Sequence, residues 1–286
     1  MIVCLHIPKT GGTSFNFILE NNFGFRNCHT NQMNRSTFTQ ADLDFARKCY
    51  PELRSLVGHN LVDPLQLTVA DPFYMTILRE PVARVISHYQ YSVQRGNNGK
   101  TFEETLRASE NLENLQVKLM AGGRDLDKAK RFLERCAFVG LTEKFDLSLR
   151  VLERLSPWKL KLNYKRRVVA ETNTVKDALK RDARMLDLAR EYNKLDLELY
   201  QFAVDEIFPR LCQKAAVDPA EKIPSYARDG SGETLNYRLS KVYSKAFRLI
   251  CKFRYNILVH DSRPRMGNTA EDIFAPLLQR DPARSI

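Results

Sequence analysis

The feature that most constrains this chain is its opening stretch, MIVCLHIPKTGGTS. Ile2 to Ile7 is a short β-rich run, broken by Pro8 and by Gly11-Gly12. Thr13 and Ser14 then offer caps for a helix to about Asn21, with Phe15, Ile18 and Leu19 on one face. A strand that runs through a glycine turn into a helix aims successive backbone N–H groups at one point. That point lies at the positive end of the helix and suits a phosphate. Thr10, Thr13 and Ser14 add hydroxyl donors, and Lys9 adds a mobile point charge. The common phosphate loop, G-x-x-x-x-G-K-[ST], has its lysine after the glycines. Here Lys9 precedes them.

The same grammar recurs downstream. Ser55–Val57 reads as a strand ending in Gly58-His59. Phe73–Leu78 reads as another, stopped by Arg79-Glu80-Pro81, with Pro81 in the first turn of a helix to about Gln94. Helical patterns follow at about 101–109, 111–120 and 125–135. A strand is expected at 137–142 (AFVGLT) and a helix at 145–155. Strands alternating with helices predict an α/β fold, a P-loop-like parallel sheet flanked by helices. Ligands bind such sheets at the carboxyl ends of the strands. Three unusual sequences fall there: Pro8 to Gly12, Gly58-His59 and Arg79-Glu80-Pro81. Residues 192–212 read as one long amphipathic helix closing a domain over 1–215. Residues 216–234 read as a linker. Residues 235–286 read as a C-terminal helical extension, a basic helix over about 235–258 and then a loose tail.

Charge narrows the partners. With 45 basic against 34 acidic residues the 286-residue chain carries +11, which favours anionic partners without choosing among them. No apolar run reaches the length of a membrane span, and no basic n-region follows Met1, so the expected location is cytoplasmic. A trimmed anchor would make it the Golgi lumen instead. The six cysteines are scattered without metal-ligand spacing and read as reduced packing residues.

The second motif, ILREPVARVISHY, changes the weight of the first. Arg79 ends a strand and Ser87 sits two turns into the next helix. An arginine grips a phosphate with paired N–H bonds, and a serine hydroxyl adds another. Two phosphate grips at strand ends suit a nucleotide phosphorylated at two places. HIPKTGGTS followed by ILREPVARVISHY resembles the cofactor motifs of sulfotransferases that use 3′-phosphoadenosine 5′-phosphosulfate (PAPS). The similarity is to the carbohydrate branch that includes heparan sulfate 2-O- and 6-O-sulfotransferases. ENLQVKLMAGG (113–123), FVGLTEKFDLSL (138–149) and LDLELYQFAVDEIF (195–208) resemble that branch in its usual order.

The resemblance implies roles. Lys9, Thr10, Gly11, Gly12, Thr13 and Ser14 match the loop for the 5′-phosphosulfate, and Arg79 and Ser87 the pair for the 3′-phosphate. His59, in LVGHN, falls where the branch is expected to carry its base. Relatives often fold a basic loop over the nucleotide near KLKLNYKRRVV (159–169), so Arg166 and Arg167, with Lys165, are expected cofactor contacts. A solvated basic edge or an acceptor surface is an equal reading of that loop. The implied reaction is metal-free, in-line transfer of a sulfuryl group from PAPS to a hydroxyl of a carbohydrate or glycoconjugate. The coproduct is adenosine 3′,5′-bisphosphate. His59 takes the proton, and Lys9 meets the charge that grows on the leaving oxygen.

Other readings stand beside this one. His6 is expected to be a packed residue, and His88 to face away from the phosphate as helix packing near the site. Arg238, Lys241, Lys245, Arg248 and Lys252 recur along one helix face, with Leu239, Val242, Ala246, Leu249, Ile250 and Phe253 as an apolar side. The plainest role for that helix is docking on the domain with its charges in water. Peripheral membrane contact through 235–258 is the other. A P-loop kinase or triphosphatase would need a lysine after the glycines. A nucleic-acid-binding protein would need exposed aromatics among the cations, and 237–255 is the only candidate. Nucleic acid is therefore not an expected partner.

Overall fold

The computed structural model describes residues 1–257 apart from 34, 51, 97–98, 109–111, 165–173 and 229–231, with side chains followed to Arg254. Arg166, Arg167 and the expected tail lie outside the described residues. Five strands form one sheet: β1 (Ile2–Leu5), β2 (Asn27–His29), β3 (Ser55–Gly58), β4 (Phe73–Leu78) and β5 (Phe138–Leu141). Their order is β2-β3-β1-β4-β5, and every pairing is parallel. In register, Cys4 of β1 faces Val57 of β3 on one side and Met75 of β4 on the other. All four residues of β1 are buried, as a parallel strand covered on both faces requires. The α/β class and the P-loop-like sheet expected from sequence are what the chain forms.

Helices cover the sheet in chain order. α1 (Gly12–Phe23) follows β1, α2 (Gln40–Cys49) follows β2, and α3 (Pro81–Gln94) follows β4. α4 (Phe102–Ala108), α5 (Leu115–Ala121) and α6 (Leu126–Arg135) fill the crossover to β5. α7 (Phe145–Leu155), α8 (Thr174–Arg181), α9 (Ala183–Tyr192), α10 (Lys194–Phe202), α11 (Phe208–Ala215) and α12 (Leu235–Ile257) complete the described chain. The path from β1 leads towards β2, whereas the path from β4 leads towards β5 on the opposite side. The β1–β4 boundary is therefore a topological switch point, where a crevice opens at the strand ends.

Two sequence expectations change. The single helix over 192–212 is interrupted by a π turn at Ala203–Ile207. Pro209, early in α11, has no N–H to offer the carbonyl four residues back, and the wider turn absorbs that missing bond. The basic helix docks on the domain, but not through the row that includes Leu239 and Val242. Tyr237, Phe247 and Cys251 enter the main core, Phe17 packs on Tyr237, and the Tyr243 hydroxyl donates to the Cys49 carbonyl. All six cysteines are free thiols.

A buried polar chain ties the helical layer to the end of β4. Asp196 has no exposed surface, and its carboxylate accepts the N–H groups of Gln116 (3.0 Å) and Val117 (2.8 Å), capping α5. Asn114 accepts from the Leu195 and Asp196 N–H groups in return. Arg84 is equally buried and donates to the Leu112 carbonyl at 3.0 Å, with Asp196 as its neighbouring negative charge. Removing one partner of a buried charge pair leaves the other uncompensated. Asp196→Ala is therefore expected to lower unfolding free energy by roughly 3–5 kcal/mol in urea denaturation. Asp196→Asn, which keeps an acceptor for α5, is expected to lose less.

Candidate active site

The crevice is built from the ends of β1, β3 and β4. After β1 the chain turns through Lys9, whose φ of 70° lies in the left-handed region, and Gly11 at 85°. Gly11 is the N-cap of α1, so the helix carries no side-chain cap, and its first turn has no acidic residue. The positive end of α1 is left open to an anion. The helix begins one residue before Thr13, so Thr13 and Ser14 sit in its first turn rather than at its cap. The Thr10 hydroxyl donates to the Ile7 carbonyl at 2.9 Å and shapes the loop. The Thr142 hydroxyl lies 2.9 Å from both the Thr10 and the Leu78 carbonyls, joining the loop to the end of β4.

Gly12 is required for a different reason. A Cβ there would lie 1.7 Å from His6 Nε2. The His6 ring therefore occupies the space above Gly12, with Asn16 Nδ2 3.2 Å from its Nδ1. His59, just beyond β3, packs against that ring with centroids 4.1 Å apart. Its backbone N–H donates to Asn31 Oδ1 at 3.0 Å, and its Nδ1 lies 2.5 Å from the His6 carbonyl. A carbonyl only accepts, so Nδ1 carries the proton and Nε2 keeps a lone pair. Burial pushes the His59 pKa down to about 4, against a smaller upward pull from the His6 carbonyl, and His29 lowers it further. His59 is thus neutral through the physiological range. His6, also depressed by burial, is neutral as well, and serves as the platform for His59.

On the other side of the loop, Arg79 places Nη1 2.9 Å from the Lys9 carbonyl, while its Nε is buried without a partner. Gln116 holds both backbone groups of Arg79: Oε1 accepts its N–H at 3.1 Å, and Nε2 donates to its carbonyl at 3.0 Å. Glu80 does not pair with Arg79. Its carboxylate caps α3 by accepting from Val82 (3.0 Å) and Ala83 (2.7 Å). Lys9 Nζ stands 4.1 Å from the centroid of the Tyr91 ring, with the Arg95 guanidinium 4.7 Å from the same ring. Burial, then Arg79 and Arg95, lower the Lys9 pKa to about 8. Ser87 is half-buried one helical turn before Tyr91, on the side of α3 that meets Lys9. His88 packs on its helix near the site. It is buried, its Nδ1 has no partner, and burial with Arg84 and Lys9 pushes it down to about 3. Lys9 is thus among the charges acting on it.

The fold therefore gathers Lys9, Gly11, Gly12, Arg79 and His59 at adjoining strand ends, with Thr13, Ser14 and Ser87 on the helices that leave them. A cationic loop with an open helix end, an incompletely bonded arginine and a lysine short of counter-charge is chemically suited to anionic groups such as those of PAPS. Gln116, Thr142, Tyr91 and Arg95 escaped the sequence reading. Each is an ordinary residue in its local pattern, and only tertiary placement brings it here.

No protein-family model matches the chain. Among curated proteins it is similar to the heparan sulfate 2-O-sulfotransferase hst-2 of Caenorhabditis elegans, with 29% identity over 49% of this chain and 46% of that protein. It therefore spans about half the length of that relative. It is also similar to the human heparan-sulfate 6-O-sulfotransferase 1, with 26% identity over 78% of this chain and 69% of that protein. The Chinese hamster (Cricetulus griseus) counterpart matches at 26% identity over 78% of this chain and 71% of its own length. By sequence, then, the chain is similar to heparan sulfate 2-O- and 6-O-sulfotransferases, the carbohydrate branch that its motifs resemble.

Proposed function

We propose that the protein is a sulfotransferase that moves a sulfuryl group from PAPS to a hydroxyl of a carbohydrate or glycoconjugate. The observation that carries the reading is the meeting of an open helix end and Lys9 with a neutral histidine across one crevice. PAPS is the co-substrate that supplies the sulfuryl group. The loop from Lys9 to Ser14 holds its 5′-phosphosulfate, Arg79 and Ser87 hold its 3′-phosphate, and Arg166 and Arg167 contribute from outside the described residues. The unpartnered Arg79 Nε, the uncapped N-terminus of α1 and the cations beside Lys9 support that fit.

In the step itself the acceptor oxygen bonds to sulfur as the bond from sulfur to the bridging phosphate oxygen breaks. The acceptor proton passes to His59 Nε2, whose orientation is set by the bond at Nδ1. The electron pair of the broken bond stays on the phosphate oxygen of adenosine 3′,5′-bisphosphate. Lys9 and the N–H groups at the start of α1 stabilise that charge more in the transition state than in the ground state. Positioning carries much of the rate, since the sulfuryl group needs an in-line approach.

With labelled PAPS and a panel of glycan acceptors, transfer to at least one acceptor is expected. His59→Ala should lower kcat by about 10²–10⁴-fold. Lys9→Ala should lower it by about 10²–10³-fold. Full activity in either variant would remove that residue from its role. Binding of ATP only with magnesium, and none of adenosine 3′,5′-bisphosphate, would overturn the whole reading.

The pH profile supplies a separate test. His59 works unprotonated, and burial with a further push from His29 keeps its pKa low against the upward pull of the His6 carbonyl, so kcat/KM for the donor should rise as pH passes about 4. Lys9 works charged, and burial together with Arg79 and Arg95 makes it lose its proton at about pH 8, so the same quantity should fall above that pH. Lys9→Arg cannot deprotonate in this range and should lack the alkaline fall. A wild-type profile level well past pH 8 would exclude Lys9 as the group responsible.

A further inference from the structure

We propose that the outward face of α12 is a docking surface for an anionic lipid bilayer. The helix has two apolar sides. Tyr237, Ser240, Ser244, Phe247 and Cys251 are buried against the domain. Around the helix from them, Leu235 (71% exposed), Val242 (68%), Leu249 (57%) and Phe253 (60%) stand in solvent, with Leu239 and Ala246 completing the row. Successive members are four, three, four, three and four residues apart, so they form one continuous stripe. Among the described residues nothing covers the stripe, and exposed apolar rows of this kind mark interaction sites.

Charge selects the occupant. Arg238, Lys241, Lys245, Arg248 and Lys252 run along one flank of the stripe, and no acidic residue occurs from 235 to 257. Lys241 is engaged by Glu20 at 2.7 Å, but Arg238, Lys245, Arg248 and Lys252 make no ion pair with a described residue. An apolar stripe bordered by cations is what lies in the boundary between headgroups and acyl chains of an anionic membrane. An acidic glycan would answer the cations but gain nothing from Leu235, Val242 or Phe253. A second copy would bring further cations and no acid to the seam, and Ile250 (47% exposed) widens the stripe beyond a two-per-heptad pairing row. No helix among the described residues is long and apolar enough to cross a membrane, so α12 would lie on the surface.

The test is co-sedimentation of the full chain with mixed phosphatidylglycerol–phosphatidylcholine vesicles and with pure phosphatidylcholine vesicles. Binding is expected to the first and to be at least about tenfold weaker to the second. Val242→Glu with Leu249→Glu changes only solvent-facing positions, so helicity and thermal midpoint should hold while vesicle binding falls about tenfold or more. Lys245→Ala with Arg248→Ala and Lys252→Ala should weaken binding on the order of a hundredfold, and raised salt should act in the same direction. No binding to the anionic vesicles, or equal binding by the glutamate variant, overturns the proposal. So does a vesicle-inert wild type whose dimer in sedimentation equilibrium is split by the glutamate variant, since the face would then belong to a second copy. An acidic protein as the binder, with vesicles ignored, overturns it equally. None of these readouts depends on sulfuryl transfer.

Discussion

Everything at the crevice depends on β1 being hydrogen-bonded along both edges. With β3 on one side and β4 on the other, all four of its residues are enclosed and the strand cannot slide or twist. The loop that leaves it inherits that fixed starting point. From there the glycines allow two close approaches: the left-handed turn at Gly11 and the contact of His6 with Gly12. The neighbouring strands end beside the same loop, so His59 and Arg79 reach it without long connections. The site is thus a property of strand order first and of side chains second.

What surrounds the crevice is held by polar groups at backbone positions. Gln116 clasps both the N–H and the carbonyl of Arg79, and Asp196 in turn fixes the helix that carries Gln116. Thr142 links the loop to the end of β4 with one hydroxyl. These bonds are sheltered from water, where an unmet partner is costly, so they constrain geometry strongly. Burial also sets the protonation states: the same shortage of solvent that keeps His59 neutral lowers the lysine across from it.

Much of this was legible in the residues alone. The strands at β1, β3, β4 and β5 announced themselves by dense apolar runs, the first three closed by Pro, Gly or Arg, and the motifs at the ends of those three marked the crevice. β2 did not, because Asn27-Cys28-His29 is short and polar at both ends; only pairing with β3 makes it a strand. The break after Phe202 was missed because the hydrophobic period continues across it, while the lost bond at Pro209 acts on the backbone. The role of Gln116 could not be read because an amide in a helix carries no sign of what its side chain will meet. On α12 the sequence displays two apolar rows, and nothing in their spacing says which one the domain covers.

Lys9 brings a further consequence. It is a non-glycine residue in left-handed backbone, a conformation costing roughly 1–2 kcal/mol for a residue with a Cβ. Its carbonyl is pinned there by Arg79 and its ammonium is partly stripped of water. Glycine at this position would relieve both penalties. For folding alone a glycine turn would suffice at position 9, so the ammonium there is carried at a cost in stability. Stability and charge thus pull in opposite directions at position 9.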